Sequence, residues 1–252
     1  MLETLDQVRG FIRERSAPLD PRSRYLPELS AYVDAAADLR DLERRLDAGC
    51  RGRLHAGDAS WAHMSLEAKL AANLITNETE LMRFERAEMA HLEERVLPWL
   101  AKTPGRVASI PCSHGNEPVS LAIEMLEAGI ERFLVNGFDV QPACIETART
   151  GRIPVAGLPR FVTAHVEPVV MEHLSFAVLD VIADAIPGRY DLVVCRNFLG
   201  YFRPEVGRAV LAKLVGALER PGCLLVDAFI TRKHPELFDG LRRDGDLPFF
   251  WI

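Results

Sequence analysis

Arg106 to Asp139, RVASIPCSHGNEPVSLAIEMLEAGIERFLVNGFD, reads as strand, tight loop, helix, second strand and acid. Val107, Ala108 and Ile110 make a short buried parallel strand. The polar loop Cys112-Ser113-His114-Gly115-Asn116-Glu117 follows, and Pro118 suits the first turn of a helix, where its missing N–H costs nothing. That helix carries Val119, Leu121, Ala122, Met125 and Leu126 as its apolar stripe. A second apolar run, Phe133-Leu134-Val135, leads to Asp139, about two dozen residues past Gly115. At this spacing a nucleotide-binding βαβ unit sets a carboxylate on the two ribose hydroxyls. Gly115 is the one glycine in the turn, so the dinucleotide fingerprint G-x-G-x-x-G is absent and nothing lets a pyrophosphate approach closely. The pattern favours a ligand with a ribose and no phosphate, for which S-adenosylmethionine is the obvious candidate.

A chain of 252 residues is long enough for one large domain, or for a medium domain with a smaller partner. The apolar fraction of 48% is ordinary for a globular protein. No apolar run reaches the ~18 residues needed to span a bilayer, and the start, MLETLDQVRGFIRER, lacks the continuous apolar core of a signal peptide. A cytoplasmic protein without membrane insertion is expected. The net charge of −6 argues against sequence-independent nucleic-acid binding. Five scattered cysteines form no C-x-x-C pair, and seven histidines show no ligand spacing, so neither a disulfide framework nor a metal is implied.

Residues 1 to about 100 read as helical. Leu2, Leu5, Val8, Phe11 and Ile12 form one stripe, and Leu29, Tyr32, Val33, Ala36, Leu39, Leu42 and Leu46 form a longer one beyond a proline-bearing turn, Pro18 to Pro27. Gly49 to Asp58 is a loop, and Ser65 caps a helix with Leu66, Leu70 and Leu74. A further helix from Arg86 to Leu100, with Met89, Leu92 and Val96 inward, ends at Pro98 and Pro104. From there strands and helices alternate, the signature of a parallel α/β sheet. A helix over Pro142 to Thr150 stops at Gly151, and 152–174 reads as loops with short β-like runs at Phe161-Val162 and Val169-Val170. Further strands are expected at Phe176 to Leu179 and at Tyr190 to Cys195. A helix opened by Pro204 carries Val206, Val210, Leu211, Leu214 and Leu218, and a strand runs from Cys223 to Phe229. A helix at Pro235 to Arg242 and a strand at Phe249 to Ile252 close the chain.

Three stretches resemble the bacterial chemotaxis-receptor glutamate O-methyltransferases, the CheR-type enzymes. Thr76-Asn77-Glu78-Thr79 followed by Arg83 is similar to their T-N-x-T-x-F-F-R loop, with Leu81-Met82 in place of the two aromatics. Ser113 to Ala122 is similar to S-T-G-E-E-P-Y-S-L-A, with Asn116 replacing one acid. Tyr190 to Phe202 is similar to F-D-x-I-x-C-R-N-V-L-I-Y-F, and Ala148 to Gly151 matches A-R-x-G. The resemblance implies a Rossmann-like α/β S-adenosylmethionine-dependent methyltransferase sheet over 85–252. A small all-α domain over 1–84, ending in the Thr76 to Arg83 loop, would precede it. S-adenosylmethionine would be the cofactor and S-adenosylhomocysteine the product. The interval Arg152 to Ser175, where the family carries a small β-subdomain that some members use to grip a receptor peptide, is shorter here.

Carried over residue by residue, the resemblance implies that Asn77, Thr79 and Arg83 reach the methionine end and the methyl-transfer site. Ser113 and Gly115 belong to the cofactor loop, and Glu117 and Asp139 hold the amino group and the ribose. Asp180-Val181 stands at the adenine, Arg196 and Asn197 line the pocket, and Tyr201 faces the reacting methyl. The catalytic set is therefore Arg83, Arg196 and Tyr201. Each residue also has a plainer reading: Asn77 or Thr79 as a helix cap, Asp139 as an N-cap, Glu117 as an acid favoured by the helix dipole. By the same measure Arg196 is a surface ion-pair residue, Tyr201 a core aromatic, and Cys112 and Cys195 packing residues.

A carboxylate acceptor is ionised near neutral pH and needs no base. Catalysis then rests on alignment and exclusion of water, and the acceptor is either a protein glutamate or a small acid. A hydroxyl or amine acceptor on a specialised metabolite would require a base, for which His114 and Tyr201 are the neighbours. A third reading, a non-catalytic cofactor-sensing or partner-binding module, predicts an eroded pocket.

Overall fold

The computed structural model describes residues 2–19, 25–49, 65–67, 69–70, 84, 86–154 and 163–252. Helix α1 (Leu5–Ser16) starts at a capping box in which the Thr4 hydroxyl accepts the Gln7 N–H. The long apolar stripe is not one helix. It is split into α2 (Tyr25–Ala35) and α3 (Leu39–Gly49) because Asp38 accepts the Asp41 N–H while Asp41 accepts that of Ala37. Pro27 falls inside α2 and not in the turn before it.

Helix α4 (86–100) covers the expected Arg86 to Leu100, with Pro98 inside its last turn. Its middle, Leu92–Val96, is a π turn in which the Leu97 N–H reaches the Leu92 carbonyl, and this widening spares Pro98 the clash an α turn would impose.

The sheet is built from β1 (Arg106–Ser109), β2 (Leu134–Asp139), β5 (Leu174–Val178), β6 (Tyr190–Cys195), β7 (Leu218–Val226), β8 (Arg242–Arg243) and β9 (Phe249–Trp251). Its order is β5-β2-β1-β6-β7-β9-β8. The first five strands are parallel, and β9 runs antiparallel to both neighbours. Helices α5 (Asn116–Glu127), α6 (Pro142–Arg149) and α8 (Pro204–Gly216) make the crossovers, and α7 (Pro168–Met171) is a single turn before β5. A separate antiparallel pair, β3 (Arg152–Pro154) with β4 (Thr163–His165), fills the interval after α6. Val169-Val170 is therefore helical, because Pro168 starts a helical turn there. Phe161-Val162 lies outside the described residues.

Alternation along the central strands sends side chains to two faces. Val107, Leu192 and Val194 pack with α4 and α5, whereas Ala108, Val193 and Cys195 pack with α1, α2, α3 and α8 in one apolar cluster. Every residue of β6 is buried, as a strand covered on both faces requires.

Three readings near the C-terminus are corrected. Leu218 opens β7 and does not close α8, with a register shift against β6 leaving Glu219 to Gly222 outside the ladder. The strand stops at Val226 because Asp227 caps α9 (Ala228–Lys233) by accepting the Ile230 N–H, so Phe229 is helical. The expected last helix shrinks to one 3₁₀ turn, Pro235–Phe238, before the β8–β9 hairpin.

Candidate active site

The strand order reverses between β1 and β6, and the loops leaving the C-terminal ends of β1, β2, β5 and β6 meet at this switch point, where open parallel sheets bind ligands. The loop after β1 is a tight turn. Cys112 N–H donates to the Phe138 carbonyl and Gly115 N–H to that of Cys112, while Ser113 (φ +50°) and Gly115 (φ +92°) are left-handed. A Cβ at Gly115 would stand 3.0 Å from the Ala148 Cβ and 3.2 Å from the Phe176 ring. Its glycine thus serves close packing of the loop on α6 and β5.

Asp139, at the end of β2, is buried and accepts the Ser113 N–H on Oδ2 and the Gln141 N–H on Oδ1, each at 2.9 Å. Burial pushes its carboxyl up, and the backbone amides of Gln141, Ser113 and Val140 oppose that shift. Each oxygen keeps a second lone pair. Asp139 therefore both orders two loops and offers two acceptors to a ligand.

Glu117 sits in the first turn of α5 and is 3% exposed. Its Oε1 accepts the Ser109 hydroxyl at 2.8 Å; its Oε2 is 3.6 Å from the Arg196 guanidinium and has no hydrogen-bond partner among the described residues. Burial raises its carboxyl above the ordinary 4.5, with Arg196 and Ser109 opposing. An orphaned carboxylate oxygen in so dry a place suits a cationic ligand group.

Arg196, at the end of β6, is no surface residue. Its guanidinium is buried, 3.2 Å from Glu88 Oε2 and stacked 4.7 Å from the centre of the Phe84 ring. Asn197 holds a left-handed backbone (φ +54°), and its N–H donates to Asp227 Oδ2 at 3.1 Å, so the cap of α9 also fixes this turn. Asp180 accepts the Ile182 and Ala183 amides, and Val181 is buried. Tyr201 ends a 3₁₀ turn, Leu199–Tyr201, packed against the apolar cluster beneath the N-terminal helices. Asn77, Thr79 and Arg83 lie outside the described residues.

A cavity of about 510 Å³ opens between the sheet ends and the N-terminal helices. Of the expected residues it collects Asp139, Asp180 and Val181. Glu117 and Arg196 form a second, drier cluster, linked to the cavity through the loop that Ser113 ties to Asp139. Glu88 was not anticipated, although it recurs with Leu92 and Val96 on one face of α4, where an acid needs a buried partner. Phe84 gave no comparable signal. Among the described residues no group of three or more His, Cys, Asp or Glu is placed to hold a metal ion, and no helix is long and apolar enough to cross a membrane.

Residues 77–229 match the family model described as CheR methyltransferase, SAM binding domain. This chain belongs to that family. A CheR-family relative, chemotaxis protein methyltransferase 1 of Pseudomonas aeruginosa, is 28% identical over 62% of this chain and 66% of its own length. The probable biofilm formation methyltransferase WspC of Pseudomonas putida is 32% identical over 61% of this chain and 41% of its own, so the chain spans between about two fifths and two thirds of these two proteins. A chemotaxis protein methyltransferase of Vibrio parahaemolyticus is 27% identical over 89% of this chain and 85% of its own length. The CheR-family match takes in the loop at Ser113, Glu117, Asp139 and the Arg196-Asn197 turn, and it stops at Phe229 in α9.

The residues present fit S-adenosylmethionine. Asp139 lines the cavity with two unused lone pairs for ribose hydroxyls, the Asp180-Val181 wall suits an adenine, and the orphaned Glu117 oxygen suits an α-ammonium. An ammonium held by Glu117 would require its ionised form, so protonation would compete with binding. Affinity for S-adenosylhomocysteine is expected to stay level at neutral pH and to fall as pH drops through the raised Glu117 pKa, above 4.5. Calorimetric titration across that range checks this; Glu117→Gln should lose most of the affinity and keep only the acid limb that Asp139, also raised by burial, contributes.

Proposed function

We propose that this chain is an S-adenosylmethionine-dependent methyltransferase that esterifies a carboxylate, with a protein glutamate side chain as acceptor. The observation that carries the proposal is the pair of buried carboxylates, Asp139 and Glu117, held on either side of one tight loop at the switch point of the sheet. The relatives named as chemotaxis protein methyltransferases favour a protein acceptor. When bound, S-adenosylmethionine supplies an electrophilic methyl group on a sulfonium, and an ionised carboxylate takes it without a general base.

The work left to the protein is positioning and exclusion of water. In this reading Asp139 holds the ribose and Asp180-Val181 the adenine, while Ser113 and Gly115 shape the loop. Glu117 orients the amino group, backed by Arg196 and Asn197. Asn77, Thr79 and Arg83 close the methionine end, with Arg83 or Arg196 orienting the acceptor carboxylate and Tyr201 beside it. Residues 1–84 act as a cap over the catalytic body 85–252, and the enzyme works in the cytoplasm. Of the two candidate bases for a hydroxyl or amine acceptor, His114 is poorly placed. His114 is buried, with Nδ1 3.4 Å from the Ser113 hydroxyl and Nε2 3.6 Å from the Cys144 sulfur.

The test is incubation of the purified protein with methyl-labelled S-adenosylmethionine and a lysate, followed by mild base. Label released from protein as volatile methanol is the expected result. Label found only in a base-stable small product would move the assignment to metabolite methylation, and no transfer without cofactor binding would remove the enzyme reading.

A further inference from the structure

The far wall of the 510 Å³ cavity comes from outside the family match: Phe11 and Arg15 of α1 face the strand ends that carry Asp139, Val140, Val181 and Ile182. Phe11 and Arg15 are one helical turn apart on one face of α1, and the Arg15 guanidinium carbon lies 5.6 Å from the centre of the Phe11 ring. The same helix is anchored independently of any ligand. Val8 and Ile12 are buried in the core, and the Leu2 N–H just before the helix donates to Glu67 at 2.7 Å. A rigid element thus presents two planar groups, a phenyl and a guanidinium, across from an apolar wall whose one end is the ribose-type carboxylate Asp139.

We propose that α1 forms one wall of the adenine subsite, with Phe11 and Arg15 stacking on the base. The proposal rests on the cofactor reading above. A purine held by its ribose on Asp139 projects into the apolar part of the cavity, where its flat face matches both groups without hydrogen bonds. The N-terminal helices then contribute at the adenine end as well as at the methionine end.

The test is calorimetric titration of the full chain with S-adenosylhomocysteine and with 5′-methylthioadenosine, which lacks the amino acid. Phe11→Ala should weaken both ligands by a common factor of about tenfold, the loss of one base–aromatic stack, and Phe11→Trp should restore them. Arg15→Ala, at an exposed position, should weaken both about threefold with an unchanged circular dichroism spectrum. If Phe11→Ala does not fold, Phe11→Leu and Arg15→Ala carry the test. Wild type that binds and variants that bind within twofold of it would overturn the α1 wall. Wild type that binds neither ligand would overturn the cofactor reading itself.

Discussion

Arg196→Met is expected to lower stability by about 3–5 kcal/mol at neutral pH, the cost of leaving buried carboxylates without the cation they share. Glu88 and Glu117, 2% and 3% exposed, flank this one guanidinium at 3.2 and 3.6 Å. Methionine keeps much of the packing against Phe84, so the loss reports charge more than volume. The pH dependence has a definite sign. The folded-state pKa of Glu117 is already raised above its unfolded value, so the folded state binds the extra proton and this group's contribution worsens as pH rises through that window. Removal of Arg196 widens the window upward. The deficit of the variant should therefore be greatest at neutral pH and shrink on acidification toward the ordinary glutamate range. Urea unfolding at several pH values measures this, and a deficit under about 1 kcal/mol at all of them would show that the ion pairs contribute little.

Asp139→Ala is expected to weaken S-adenosylhomocysteine binding by two orders of magnitude or more. Two hydrogen bonds from ribose hydroxyls to a carboxylate are worth about 1.5–3 kcal/mol each, and the Ser113 and Gln141 amides lose the acceptor that sets the loop. Asp139→Asn separates the two losses. Its amide keeps one acceptor oxygen but turns a donor toward a backbone N–H, so it should fold with a disturbed loop and bind weakly. The burial that raises the Asp139 pKa makes the ionised form costly in the free protein, so the substitution removes a destabilising charge. Thermal stability should consequently fall much less than affinity. Calorimetry alongside thermal melting tests this; affinity within threefold of wild type would remove Asp139 from the ribose.

Much of this was legible because the signals are local. Pro118 after a polar loop, the run Phe133 to Asp139 and the apolar block Tyr190 to Cys195 each carry their own secondary-structure signal, and their alternation specifies a parallel sheet. The boundaries that differ are those that one side chain decides. Asp38 splits what looks like one helical stripe, Asp227 ends a strand three residues early, and Leu218 is apolar enough for either α8 or β7. The π turn before Pro98 leaves no mark in the periodicity.

Chain spacing and residue type suffice for the βαβ unit, the carboxylate at its second strand end and the family. The burial of Arg196 between Glu88 and Glu117, residues 108 and 79 positions away along the chain, comes from packing alone. Packing likewise sets Phe11 and Arg15 across a cavity from Asp139. Partners so distant in sequence meet only when helices pack on both faces of the sheet, and burial then sets the charge of each acid.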